Sequence, residues 1–293
     1  DSTSGHRALE RHGKSAQTSM KEIRVPIEID IEQFARTTEA ITESGLDPAL
    51  KRISASFLPR EQDIRNINEE IKSAAPLLSM IPMKKFSSGR VTAVIGSQDN
   101  DPTGRLIYQM AETVGFHVPW LGAAFDRLKT RYKFTSGDIA TLLLRSPLFD
   151  ALRKDLLMEG IAAWISEDHV KAIHVLVPQA EHAVRIMIGQ LGLPTTTRGR
   201  MSGTMQARAL GELLFDEAVA SRIDPNARLY LLTLLADPRG LNLRNRVAHG
   251  LLEYREMNRA LSDRIVHALL VLSGMQPISS EGGTDANRAT KVS

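Results

Sequence analysis

The chain contains no cysteine among its 293 residues. Disulfide staples, thiol nucleophiles and cysteine-ligated zinc are therefore excluded, and a packed core must hold the fold. Aromatic residues are also scarce, 5% of the chain with only two tryptophans, so Trp120 and Trp164 are expected as core anchors. No apolar run is long enough to span a bilayer, and no membrane partner is expected. There is no internal repeat and no glycine-rich phosphate loop. The aspartates of the loop Ser97-Gln98-Asp99-Asn100-Asp101-Pro102-Thr103-Gly104 lack the glycine and closing glutamate of a calcium site. Capping of a helix that begins near Thr103 is the better reading of that loop, and neither a metal nor a cofactor is expected. The net charge of +3 permits nucleic-acid binding without demanding it.

What is present is helical patterning. With 42% apolar and 24% charged residues, the chain can build a sizeable core. Residues 1–22 are polar and aperiodic and are read as a disordered tail, as are residues 277–293. The first 22 residues also lack the apolar core of a secretory signal, which with the missing cysteines fits a cytoplasmic protein. Asp1 in place of methionine reads as a trimmed or partial chain. Helical periodicity predicts helices over 29–44, 48–57, 62–80, 103–115, 119–131, 136–146 and 148–164, with 89–96 as the one strand candidate. Next comes a long helix over 167–191, its apolar stripe running from Val170 through Val184 to Leu191, with Pro178 predicting a kink. Further helices are expected over 205–220, from Pro225 through the leucine-rich 228–237, and over 257–273. The expected class is all-α, a helical N-terminal domain over 23–165 followed by a helical bundle over 166–276.

One stretch carries chemistry: Gly240-Leu241-Asn242-Leu243-Arg244-Asn245-Arg246-Val247-Ala248-His249-Gly250. An arginine and a histidine five positions apart arise by chance in any such chain. The asparagine directly after the arginine lowers that expectation to roughly a few in a hundred. Asp237-Pro238-Arg239-Gly240 reads as a break and Asn242 as the N-cap of a short helix from Leu243, whose first turn would suit a phosphate. At about 100° per residue, Asn245 and His249 share a face, while Arg244 lies about 140° from His249.

Arg244-Asn245-Arg246-Val247-Ala248-His249-Gly250 resembles the Arg-(Asn/Asp/His)-x-x-x-His signature of the HEPN superfamily (higher eukaryotes and prokaryotes nucleotide-binding). More narrowly it is similar to the Arg-Asn-x-x-x-His-Gly hallmark of a family catalogued as a domain of unknown function. The run Val175-Leu176-Val177-Pro178-Gln179-Ala180-Glu181 and the phrase from Asp237 to Asn245 share that likeness, which covers residues 166–275. The resemblance implies a HEPN-like bundle, a homodimer with a composite active site, and metal-independent endoribonuclease activity on RNA such as tRNA, with a role in phage defence or a toxin system. A regulatory or antitoxin partner belongs to the same expectation. A non-catalytic RNA-binding or protein-interaction module is the alternative.

The residues themselves suit that chemistry. RNA brings its own nucleophile, the ribose 2′-hydroxyl, so the protein must move protons and stabilise charge on the phosphate. Imidazole, with a reference pKa near 6.5, suits His249 to general acid or base catalysis. A guanidinium that stays charged suits Arg244 as a phosphate clamp, and Asn245 would orient His249 or a phosphate oxygen. Arg246 and Arg185 are the candidate additional RNA contacts, Arg185 sharing the polar face of the long helix with His174, Glu181 and His182. The loop arginines Arg198 and Arg200 carry weaker expectations.

Overall fold

The computed structural model describes residues 31–87, 90–199, 201 and 203–275. The two tails read from the sequence, and Arg200, lie outside the described residues. The structure is 68% helical with two small two-stranded sheets, which makes it all-α as expected. Tertiary contacts divide the described residues into two compact units, one formed by residues 31–133 with 229–252 and the other by 134–228 with 253–275.

In the first unit, α1 (Ile31–Thr42) packs on α2 (Leu46–Ser56) and on α6 (Val118–Tyr132). Tyr132 stitches these together, its hydroxyl donating to the Thr42 carbonyl at 2.8 Å and accepting from the Gly45 amide at 2.8 Å. Where periodicity predicts one helix over 62–80, there are two, α3 (Glu61–Ala74) and α4 (Pro76–Met80). Pro76 is the cause: its ring disfavours helical backbone at Ala75 and has no N–H to continue the ladder. The anticipated strand is β2 (Arg90–Ile95), and it pairs antiparallel with an unanticipated β1 (Met83–Ser87). The 97–104 loop does cap a helix, α5 (Pro102–Phe116), through the Asp101 carboxylate, which accepts from the Gly104 amide at 2.9 Å. Trp120 is only half-buried, against the rings of Phe34 and Phe116 at 5.6 and 5.1 Å, so it edges the core without anchoring it.

In the second unit, α7 (Ser136–Leu143) and α8 (Lys154–Ile165) lead into α9 (His169–Gln190), which packs on α8 and on the C-terminal helix Arg259–Gly274. Contact on two sides explains why α9 buries Ala172, Leu176, Ala183 and Ile188 besides the expected Ile173, Val177, Ala180, Val184 and Met187. Pro178 sits on its exposed side within one uninterrupted helical span. The single helix expected over 205–220 is instead β4 (Met205–Ala207), paired with β3 (Thr196–Arg198), then α10 (Leu210–Phe215) and α11 (Glu217–Ala220). Asp216 makes the division by capping the Ala218 amide at 3.0 Å while binding Arg208 at 3.0 Å. Trp164 is buried as expected, and its indole N–H donates to Asp263, itself buried, at 2.7 Å.

The remaining elements are α12 (Pro225–Leu231), whose first turn Asp224 caps through the Ala227 amide at 2.8 Å, and a π turn over Leu232–Ala236. The motif helix α13 (Leu243–Ala248) follows, and α14 (Arg259–Gly274) closes the described chain, capped by Asn258 at the Leu261 amide. Leu229, Leu231, Leu232, Leu234 and Leu235 are all buried, as their density in the sequence predicts.

Trp164→Phe takes one donor from the buried Asp263 carboxylate and also removes part of a fully buried ring. A loss of about 1–3 kcal/mol is expected, read as a lower urea midpoint of the full chain with an unchanged slope.

Candidate functional site

The motif begins where the π turn ends. In that turn the Asp237 amide bonds back five residues to the Leu232 carbonyl at 2.9 Å, and the carbonyl of Thr233 receives the Leu241 amide at 2.7 Å. Gly240 passes so close to Thr233 that any Cβ there would collide with the Thr233 carbonyl, which is why the break needs glycine at this position. Arg239 locks the turn. Its guanidinium binds both oxygens of Asp237, at 2.9 and 2.8 Å, and reaches Asp101 at 3.0 Å. Asp101 in turn accepts from the amides of Gly104 and Gly96, so the α5 capping loop and the motif turn share one carboxylate. Burial opposes ionisation of Asp101, but the two amides and Arg239 outweigh it and hold its carboxyl below the usual range. Bonding to Asp237 raises Arg239 above its ordinary value, leaving it permanently charged.

Asn242 occupies the N-cap position of α13 without capping it. Its backbone is left-handed, φ 52°, and its side chain makes no bond to the helix amides. Instead its Oδ1 accepts from Nδ2 of Asn245 at 2.7 Å. The expected role of Asn242 is thus corrected: a left-handed residue turns its side chain along the helix, away from the amides. Asn245 is engaged at both ends, because its Oδ1 also accepts from Nη1 of Arg244 at 3.0 Å. The asparagine therefore orients the arginine, where the sequence suggested the histidine or a phosphate oxygen.

The histidine end is set by backbone. His249 is the C-cap of α13, and Gly250 follows at φ 62°. The Leu251 amide bonds to the Arg246 carbonyl at 2.8 Å and the Gly250 amide to that of Val247 at 3.2 Å, the paired bonds of a Schellman ending. Gly250 thus ends the helix. The His249 side chain is exposed, beside the negative end of the helix dipole, while Arg244, Asn245 and Arg246 are half-buried. Arg244 lies in the first turn of this six-residue helix and His249 directly after its last residue; ideal helical spacing would set them about 140° apart.

No family model, curated protein or solved structure matches this chain. The reading of the site therefore rests on its own residues.

Other candidates fall elsewhere. Arg185 lies in the second unit, its guanidinium on Glu181 at 2.7 Å and on the carbonyls of Arg208 and Thr195 at 2.8 and 3.4 Å. It ties α9 to the ends of the β3–β4 hairpin. In the same helix His174 bonds the Val170 carbonyl at 2.8 Å, and burial, aided by the charge of Arg153, lowers the His182 pKa. Arg198 is exposed on β3. Two residues near the motif have no local sequence signal: Asp101, which reads only as a cap, and Lys85 of β1, whose ammonium donates to the carbonyl of Gly240.

Two outcomes follow from this turn. Gly240→Ala should destabilise the protein by about 1–3 kcal/mol through collision with backbone, more than Gly250→Ala, where only the left-handed φ is strained; thermal unfolding of the two variants compares them. Asp101, depressed when folded, contributes stability that is complete above the ordinary carboxylate pKa of about 3.9 and lost as pH falls through its folded value. The urea midpoint of wild type should exceed that of Asp101→Asn by a constant margin near neutrality, and the margin should close in acid. A margin that ignores pH would rule out the ionic role.

Proposed function

We propose that this chain is a metal-independent endoribonuclease that cleaves RNA by attack of the ribose 2′-hydroxyl on the adjacent phosphorus, leaving 2′,3′-cyclic phosphate and 5′-hydroxyl ends. The observation that carries the reading is the bond from Arg244 to Asn245 within a motif that leaves His249 exposed at the helix end. A guanidinium pre-aimed by a neighbouring amide forfeits little freedom when it takes a phosphate. An exposed imidazole is accessible for proton transfer, worth typically about 10² to 10⁴ in rate.

In this mechanism His249 accepts the 2′-hydroxyl proton or donates one to the departing 5′-oxygen, and Arg244 neutralises charge on the non-bridging oxygens. One histidine per motif supplies one of the two proton transfers. A homodimer supplies both, and it also resolves the angle between Arg244 and His249, since the arginine of one subunit can face the histidine of its partner. HEPN-like ribonucleases in phage defence or toxin systems are the setting that the sequence resemblance suggests, with an antitoxin or regulatory partner as the further element.

The chain incubated with tRNA or total RNA in chelator should release 2′,3′-cyclic phosphate ends. His249→Ala and Arg244→Ala should each reduce the rate about 10² to 10⁴-fold while unfolding at the wild-type temperature. Mixing the two inactive variants should restore part of the cleavage if the site is composite, because mixed dimers hold one Arg244 facing one His249, with only one of the two proton transfers still served by a histidine. The intramolecular engagement of Asn245 with Arg244 also suits a second reading, an RNA-binding module. A gel shift without cleavage would select it.

A further inference from the structure

α4 buries its polar residue and exposes its apolar ones. Ser79 is the buried side chain, while Leu77, Leu78 and Met80, with Ile81 just after the helix, are each more than half exposed, Leu77 by 76%. At about 100° per residue, Leu77 points almost directly away from Ser79, with Leu78 and Met80 to either side. Ile71 in the last turn of α3, and Val94 on β2 opposite Lys84, add exposed apolar surface before and after this stretch in the chain. Together the six expose roughly 600 Å², at the upper end of what a monomer leaves in water. The stretch is also held firmly from below. Arg105, itself buried, donates to the carbonyls of Ile81 and, at 3.5 Å, Ser79, while its Nε donates to that of Gly96 at 2.8 Å. The Gln98 amide bonds the Ser79 carbonyl as well, at 2.9 Å. A face fixed before any partner arrives loses little freedom on binding.

Its charges indicate what covers it. Glu70, next to Ile71, and Lys84, opposite Val94, are exposed and have no partner among the described residues. A face with a free carboxylate beside one apolar flank and a free ammonium beside the other complements itself. Turned about a two-fold axis, each carboxylate meets the ammonium of the other copy. Two such faces would bury about 1,200 Å² in all, the size at which specific, stable interfaces begin. An anionic bilayer would instead call for cations at both flanks.

We propose that the exposed face of α4 and the β1–β2 hairpin is a homodimer interface, centred on Leu77 and Met80 and closed by pairing of Glu70 with Lys84 between copies. The same hairpin reaches the motif turn, because Lys85 of β1 donates to the Gly240 carbonyl. The contact therefore sets how the two motifs stand to each other. Its use in completing a composite active site rests on the ribonuclease reading, whereas the interface rests on the face alone.

Analytical sedimentation of the full chain over a concentration series tests this. Wild type should pass from monomer to dimer, and Leu77→Glu and Met80→Glu should each weaken association at least about tenfold. When dilute, both variants should unfold at the temperature of the wild-type monomer, since neither side chain is buried in it. Lys84→Glu and Glu70→Lys should each weaken association several-fold, and the variant carrying both should recover it. That recovery is specific to a face that pairs with itself. A wild type that stays monomeric, or a dimer indifferent to Leu77→Glu, would overturn the proposal. So would a monomer that binds vesicles of anionic phospholipid and loses them on Leu77→Glu, which would make the face a membrane contact. If Leu77→Glu is monomeric and still cleaves RNA, the composite site fails and the interface stands. If the wild-type dimer cleaves nothing, the ribonuclease reading alone fails.

Discussion

Arg239 holds two carboxylates at once, Asp237 two residues before it and Asp101 lying 138 positions earlier in the chain. Asp237 is nearly out of contact with water, its side chain 4% exposed, so its charge requires this partner. The planar guanidinium grips both of its oxygens, a geometry that a lysine could not reproduce. Breaking such a pair from one side leaves a stranded charge, which is why the arrangement resists piecemeal change. Everything that follows in the chain, from Gly240 against the Thr233 carbonyl to the start of α13, takes its position from this lock.

The lock also changes what the motif can do. A six-residue helix has too few internal bonds to be stable by itself, so α13 must be held at both ends. Its start is held by the Leu241 amide on Thr233 and by Lys85 on Gly240, its end by the Schellman bonds around Gly250. Between them the chain of Asn242, Asn245 and Arg244 fixes the guanidinium from within the helix. The arginine is thus organised by its neighbours, and the histidine is presented to solvent. In the proposed mechanism these are complementary states, a rigid anion clamp and an accessible proton carrier.

Much of the fold was legible wherever a local rule governs it. Asp101 before Pro102, Asp224 before Pro225 and Gly250 after His249 each mark a helix end, and each does so by the bond its residue type predicts. The leucines of 229–235 are buried because an apolar run that dense has no solvated face. Local rules misled where two of them competed. Residues 205–220 have helical periodicity, yet Asp216 binds both Arg208 and the Ala218 amide and restarts the helix there. Asn242 has the right residue type and position for a cap, but its left-handed backbone sends the side chain to Asn245. Trp120 is apolar enough for a core, but the rings of Phe34 and Phe116 hold it at the edge.

The sequence by itself determined the all-α class, most helix boundaries, and the Arg244, Asn245 and His249 spacing. These follow from periodicity and capping, which act over a few residues and leave their record in neighbouring letters. Only the tertiary structure decided that residues 229–252 pack with the unit of residues 31–133, that Arg239 finds Asp101, and that Lys85 reaches the Gly240 carbonyl. Those are pairings of charge and carbonyl across more than a hundred positions. Their energy depends on distance and burial, which no local pattern of residues encodes.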